Sequence, residues 1–172
     1  CIIIDENAHY TDAGRSRTLI KNNICVANGG PGVAMSRSKN VDIVNNTFYR
    51  NNRTSLPTVV SHGEFMCQSM DASEKVEGRT VFTKCEDIVY RDNVIVGRSD
   101  RKVLVAEFGT VSVAYSGNVW VRTGFSAPST DVVFPDGTQV VASPNETDPP
   151  QGDWRTVGSA AGRGAPWPLM SH

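Results

Sequence analysis

The chain has few aromatic residues, no long apolar run and no excess of charge of either sign. Its 17 basic and 18 acidic residues give a formal net charge of −1, which argues against a nucleic-acid partner and against a polybasic membrane anchor. The apolar runs are too short to cross a bilayer, so no membrane partner is expected. A length of 172 residues predicts one domain with ample chain for a core.

The sequence also lacks a methionine at its first position. Cys1 leads directly into Ile2-Ile3-Ile4-Asp5, which reads as the middle of a strand. This start predicts the C-terminal part of a longer chain, whose missing N-terminal part would be a partner of the first strands. A mature lipid-bearing cysteine is the alternative, and the absence of a polar tether after Cys1 argues against it.

Cysteine is scarce, and four residues of it do not settle the redox compartment. Cys67 and Cys85 flank an insertion, so a disulfide that closes this loop is one plausible pairing. Cys25 occupies a position where large apolar residues recur along the chain, which favours a buried small hydrophobe. Cys1 would then have its partner in the missing part.

Four asparagines with near-regular spacing are the most informative feature that is present: Asn23, Asn46, Asn93 and Asn118. Their separations are 23, 47 and 25 residues, so the middle one is about two periods. Alternating apolar residues precede each asparagine and an apolar residue follows two positions later, which predicts strand, one-residue bend, strand. Asparagine suits the bend because it enters the left-handed region at low cost. A fixed period of this size indicates a solenoid.

A third strand per repeat is predicted upstream of the asparagines. Four segments align with one another: Cys1–Glu6, Gly32–Arg37, Gly63–Gln68 and Lys102–Glu107. Together the two series predict four turns of three short strands, stacked in parallel so that equivalent side chains lie above one another. A meander of hairpins is the alternative, but tight two-residue turn signals are missing between the paired segments.

The repeat covers residues 1–124 and fades in residues 125–172, which are rich in Pro, Gly and Ser. The second segment is predicted to form one loose last turn and then a capping tail over the open end of the stack, with Trp154 and Trp167 as apolar cover. A disordered linker is the alternative for this segment.

Over roughly residues 1 to 124 the sequence resembles the right-handed parallel β-helix superfamily, the pectate-lyase-like fold. The resemblance rests on Asn22-Asn23, Asn45-Asn46, the corner Asn28–Gly32 and the tail phrases Gly152–Arg155 and Gly158–Ala160. It implies an all-β fold, a right-handed single-stranded parallel β-helix of about four to five turns. Members are mostly extracellular and act on polysaccharides as lyases, hydrolases or epimerases, and others are adhesins or tailspikes. The calcium-aspartate and arginine motifs of pectate lyases and the paired-aspartate and Gly-His-Gly motifs of polygalacturonases are not found.

A polar strip on the first-strand stack is the candidate site. An unpaired Glu64 would not be buried, so the face that bears it is predicted to point outward. Met35 and Met66 share this face, so the alternative is that it points inward and that Glu64 is paired there or lies at a bulge. The strip and the loops beside it contain ten candidates: Glu6, His9, Tyr10, Arg15, Arg17, Arg37, His62, Glu64, Gln68 and Glu107.

Two chemistries fit these residue types. In β-elimination from a uronate polymer, Arg37 would neutralise the carboxylate, His62 or His9 would remove the adjacent proton, and Tyr10 would protonate the leaving oxygen. A glycosidase needs two carboxyl groups instead, which Glu64 with Glu6 or with Glu107 would supply. Substrate contacts are assigned to the remaining members, Arg15, Arg17 and Gln68, together with Glu6 and Glu107. A solvated face with weak surface ion pairs is the alternative reading.

The function expected from the sequence is that of a secreted polysaccharide-active enzyme, lyase-like or a glycoside hydrolase, with a polysaccharide as its partner. A non-catalytic carbohydrate-binding or adhesive protein and an inactive structural fragment are the alternatives. No zinc spacing or calcium loop is found, so no cofactor is expected. Relatives of this fold often bind calcium between turns, which keeps calcium open as an alternative.

Overall fold

The computed structural model describes residues 1–5, 17–54, 63–68, 75–76, 79–80, 84–100, 105–108, 111–122 and 131–167, with the backbone alone for 75–76, 79–80, 105–108 and 111. The described chain is all-β and consists mostly of strands in parallel sheets. Helical structure in these residues is limited to two short 3-10 segments, Pro149–Gln151 and Gly158–Ala160.

Three parallel sheets form the body of the protein. Sheet A contains β1 (Ile2–Asp5), β4 (Val33–Ser36), β7 (Phe65–Gln68) and β12 (Val105–Phe108). Sheet B contains β2 (Thr18–Lys21), β5 (Lys39–Val44), β10 (Glu86–Arg91) and β13 (Val111–Ser116). Sheet C contains β3 (Ile24–Val26), β6 (Thr47–Tyr49), β11 (Val94–Val96), β14 (Val119–Val121) and β15 (Val132–Phe134). The chain therefore visits the three sheets in the same order again and again.

Two antiparallel pairs interrupt this order. Strands β8 (Lys75–Val76) and β9 (Arg79–Thr80) pair within the insertion between β7 and β10. Strands β16 (Val141–Ser143) and β17 (Asp153–Thr156) pair in the C-terminal segment.

The core lies between the three sheets, because each sheet contributes the inward side chains of its alternating strands. In sheet C the central residues of successive strands are neighbours in register, so Cys25, Phe48, Ile95 and Trp120 form one buried row. Aromatic rings also stack between neighbouring strands of sheet B, where the ring centroids of Tyr90 and Tyr115 are 4.9 Å apart. Each large apolar side chain buried in this way contributes about 1.5 to 3 kcal/mol.

The strand register in sheet A differs by one residue from the alignment of these segments in the sequence analysis. Val33 lies opposite Phe65, and Met35 lies opposite Cys67. Because side chains alternate along a strand, a shift of one residue exchanges the inward and outward faces. The expectation that the face bearing Glu64 points outward is therefore wrong. Val33 and Met35 are fully buried, and Glu64 is 2% exposed.

All four cysteines form disulfides. Cys67 is bonded to Cys85 across the insertion, which is the pair suggested by the sequence. Cys25 is buried, as expected, and it is bonded to Cys1, so the expectation of a partner for Cys1 outside this chain is wrong. The amine of Cys1 donates to the carbonyl of Pro31 at 2.8 Å, which holds the start of β1 near the start of β4. Disulfides across loops of this size stabilise by about 3 kcal/mol in the chain-entropy view.

The C-terminal segment packs against the outward face of sheet C, whereas the sequence predicted that it covers the open end of the stack. The expected last turn does add a strand, since β15 pairs with β14. Beyond it, Trp154 is 1% exposed and its indole donates to the carbonyl of Pro149 at 2.8 Å. The apolar cluster on this face joins sheet residues to tail residues: Tyr49, Val94, Val96, Val119, Val121, Val140, Val141, Trp154 and Ala160. The outward valines of sheet C need this cover because they would otherwise form a large exposed apolar patch.

Candidate functional site

The four regularly spaced asparagines form one hydrogen-bonded ladder. The side-chain oxygen of Asn46 accepts from the backbone and side-chain nitrogens of Asn23, both at 2.9 Å. Asn93 accepts in the same way from Asn46, and Asn118 from Asn93, at 2.9 to 3.0 Å. The 47 residues between Asn46 and Asn93 span one step of the ladder and not two, because β6 and β11 pair directly.

The ladder ends on a carboxylate. Asp131 accepts from the backbone nitrogen of Asn118 at 3.0 Å and from its side-chain nitrogen at 2.9 Å. The indole of Trp120 adds a third hydrogen bond at 2.8 Å. Each asparagine donates its backbone N–H and one side-chain N–H to the next member, so the last member needs only acceptors, and a carboxylate provides two of them.

A second ladder runs beside the first. Asn51 accepts from the backbone and side-chain nitrogens of Asn28 at 3.1 and 2.7 Å. Asn51 in turn donates through the same two groups to the two carboxylate oxygens of Glu64, both at 2.8 Å. Sequence reasoning missed this ladder, although Asn28 and Asn51 repeat the 23-residue spacing of Asn23 and Asn46.

Glu64 is therefore a buried terminal member of a ladder. Burial raises its pKa from the ordinary value of 4.5 to about 7, against the opposing effects of the Asn51 hydrogen bonds, the amine of Cys1 and the guanidinium of Arg98. Both carboxylate oxygens are occupied by Asn51, and the side chain has almost no contact with solvent. The expected position of Glu64 on an outer polar strip is wrong, since a surface groove cannot be lined by this group.

Arg37 and Gln68 lie side by side at the carboxyl edge of sheet A. The backbone nitrogen of Arg37 donates to the carbonyl of Gln68 at 3.1 Å, and the Gln68 side chain is exposed. Ser36 lies opposite Gln68 and Asp5 opposite Ser36, so four polar residues share this edge. The structure thus brings two of the predicted site residues together.

Most other predicted site residues cannot be placed. Glu107 is described by its backbone alone, which lies opposite Cys67. The following residues lie outside the described part of the chain: Glu6, His9, Tyr10, Arg15 and His62.

Arg17 is engaged by two carboxylates on sheet B. Its guanidinium donates to Asp42 at 2.8 Å, to the carboxylate of Asp87, and to the carbonyl of Asp87 at 3.0 Å. Asp42 and Asp87 belong to neighbouring strands, so Arg17 links β2 to both β5 and β10. A substrate contact for Arg17 stays a prediction, and its described contacts are structural.

Replacing Arg17 with methionine should lower the free energy of unfolding by about 1 kcal/mol, because half-exposed ion pairs and charge-assisted hydrogen bonds contribute at this level. Urea unfolding at low and high salt measures the effect, which should shrink as salt screens the pairs. Lys21→Met, at an exposed residue of the strand that directly follows Arg17, is the matched control and should change stability little. Equal effects of the two changes would contradict a linking role for Arg17.

The described surface also contains a groove between the C-terminal segment and the ends of sheets B and C, here called the tail groove. It encloses about 340 Å³ and is lined by Asn45, Arg155, Thr156, Gly162, Arg163, Gly164, Ala165, Pro166 and Trp167. The backbone nitrogen of Gly164 donates to the carbonyl of Asp92 at 2.8 Å, and that of Ala165 donates to the hydroxyl of Thr47 at 3.1 Å. Gly164 has a φ of +75°, and a Cβ there would lie 2.6 Å from the Thr47 hydroxyl, so glycine is required.

Sequence reasoning missed the tail groove. Its residues follow no period, and the cues available were a tryptophan and two arginines within a Pro/Gly-rich segment. Within the described residues, no group of three or more His, Cys, Asp or Glu side chains is placed to hold a metal ion. The same part of the chain contains no helix long and apolar enough to cross a membrane.

No protein-family model, curated protein or solved structure matches the chain. Its function is therefore inferred from the geometry of its own residues.

Proposed function

We propose that this chain is a right-handed parallel β-helix protein that acts on extracellular polyuronate chains by β-elimination. The β-helix proposal is supported by three parallel sheets that the chain visits in a constant order and by asparagine ladders between equivalent positions. Two disulfides are compatible with an extracellular protein.

The observation that carries the activity is the position of Arg37 beside Gln68 at the carboxyl edge of sheet A. Asp5 lies at the same edge, opposite Ser36, and His9 and Tyr10 follow it in the sequence. A guanidinium can neutralise a uronate carboxylate through paired hydrogen bonds, which makes the adjacent proton more acidic. A neighbouring imidazole can then remove this proton, and a phenol can protonate the leaving oxygen.

Burial of Glu64 favours elimination over hydrolysis. A glycosidase needs two carboxyl groups that face the scissile bond. Both pairs available from the sequence, Glu64 with Glu6 and Glu64 with Glu107, contain Glu64, whose carboxyl group is buried inside the protein. The elimination hypothesis uses arginine, histidine and tyrosine, and it does not require Glu64.

The test is the appearance of ultraviolet absorbance from unsaturated products when the protein is incubated with polygalacturonate, alginate and hyaluronan. Arg37→Ala should lower the initial rate by roughly 10²- to 10³-fold, because a group that stabilises developing charge is lost. Lys21→Ala, which removes an exposed cation from sheet B, should leave the rate unchanged. New reducing ends without this absorbance would instead indicate a hydrolase.

A non-catalytic carbohydrate-binding protein is the second candidate. The tail groove favours it, since this groove offers arginine and tryptophan side chains but no histidine or carboxylate among its lining residues. Retention of the protein in gels that contain a polyuronate, together with no cleavage of any polymer, would support this candidate. Arg37→Ala should then leave the retention nearly unchanged.

A further inference from the structure

The floor of the tail groove is fixed before any ligand arrives. Two backbone nitrogens, of Gly164 and Ala165, donate to the carbonyl of Asp92 and to the hydroxyl of Thr47, which attaches the segment to the ends of sheets B and C. The neighbouring chain is ordered by β17, and Trp154 of this strand is buried on sheet C. A groove held in this way requires little ordering on binding, which favours affinity.

The charge of the groove is positive. Arg155 forms a two-point ion pair with Asp153, so much of its charge is already balanced. Arg163 is half-buried, and no hydrogen bond or ion pair of its guanidinium is found among the described residues. A guanidinium in this situation presents a planar set of donors that matches a carboxylate.

The rest of the lining matches a sugar ring. Trp167 is half-buried and contributes an aromatic surface to the groove, on which the apolar face of a pyranose can pack. Asn45 donates through its side-chain nitrogen to Asn22 at 2.9 Å, which leaves its side-chain oxygen to accept from a sugar hydroxyl. Thr156 adds a hydroxyl that both donates and accepts.

From these features we infer that the tail groove is a binding site for a carboxylated sugar, with Arg163 on the carboxylate and Trp167 against the ring. A bare anion would use the arginine alone, and a neutral sugar would use the tryptophan alone. The site lies on the side of sheets B and C, away from the edge of sheet A. The inference therefore does not depend on the proposed lyase activity.

Calorimetric titration with trigalacturonate and with a hyaluronan tetrasaccharide, each compared with its methyl ester, tests the inference. At least one acid should bind ten times or more tightly than its ester, and the difference should shrink with salt. Arg163→Ala should weaken binding of that acid by roughly 10- to 100-fold, since a charge-assisted hydrogen bond is lost. Arg98→Ala is the matched control, because Arg98 is an arginine paired with Asp100 outside the groove.

Trp167→Ala should weaken the binding of the acid and of its ester by similar factors, and Trp167→Phe should restore part of both affinities. Thermal midpoints equal to that of the parent protein check that the variants are folded. Three results would each overturn the inference. They are equal affinity for acid and ester, an unchanged affinity after Arg163→Ala, and displacement of the bound sugar acid by inorganic phosphate as effectively as by more of the sugar acid. Loss of cleavage in Arg37→Ala with retained binding here would show that the two sites are separate.

Discussion

Replacing Asn93 with alanine is expected to lower the free energy of unfolding by about 3 to 5 kcal/mol. Asn93 is fully buried, and its side chain makes four hydrogen bonds within the ladder and to the backbone. The change removes the acceptor of the Asn46 backbone nitrogen and the donor to the Ile43 carbonyl. Each buried polar group left without a partner costs about 1 to 3 kcal/mol of stability, so the loss of unfolding free energy should be near the top of the range for point substitutions.

Asn23→Ala provides the matched comparison, because it removes the same residue type at the first position of the same ladder. Asn23 is partly exposed, and its side chain donates to Asn46 and to the carbonyl of Lys21 near solvent. Water can replace part of these contacts, so the expected loss is about 1 kcal/mol. Chemical unfolding with equal denaturant slopes for both variants measures the two values. Equal losses at the two positions would show that the ladder does not act through buried hydrogen bonds.

The ladder could be predicted from the sequence because its hydrogen bonding requires asparagine at a regular spacing. The amide of each ladder asparagine bonds to the amide of the next turn, so the same residue recurs wherever successive strands meet at this corner. The left-handed bend itself lies one residue earlier than the sequence predicted, at Asn22 and Asn45 with φ values of +60° and +56°, and the ladder residue follows directly. The strands of sheets B and C follow from the alternation around these positions.

Sheet A was harder to predict, because its strands are linked to the repeat by excursions of variable length. Gly32 and Gly63 suggested an alignment, yet the true pairing sets Val33 opposite Phe65. Reading the apolar columns instead of the glycines would have grouped Ile2, Val33 and Phe65 on the inward side. Glu64 then falls just before the strand, where it meets Asn51 through a contact between residues 13 apart that no period predicts.

The tail could not be placed from sequence for a different reason. It carries no repeat, so composition identified it as cover without indicating which surface it covers. The outward residues of sheet C are the available cue, since Val94, Val96 and Val119 are apolar where a solvated face would be polar. The position of Arg163 and Trp167 depends on this packing and is therefore visible only in the structure.

Glu64 should make the stability of the protein fall as the pH rises from about 5 to 8. Its pKa is about 7 in the folded protein, against an ordinary value of 4.5, because burial disfavours the charged form. Between these values the native state keeps a proton that the unfolded chain has released, so stability decreases with pH in this window and no longer changes through Glu64 above it. The size of the effect is roughly 3 kcal/mol.

Glu64→Gln isolates this effect, because glutamine cannot ionise and has nearly the same shape. Relative to the parent protein, the variant should gain roughly 3 kcal/mol of unfolding free energy between pH 5 and pH 8, whatever its stability at pH 5. Glu86→Gln, the same chemical change on a half-exposed residue of sheet B, is the control. Urea unfolding across this pH range gives both differences. A difference in unfolding free energy between the parent and Glu64→Gln that does not vary with pH would contradict this. It would mean that Glu64 is already ionised in the folded protein at pH 5, because the amine of Cys1, Arg98 and the two donors of Asn51 stabilise the charged form.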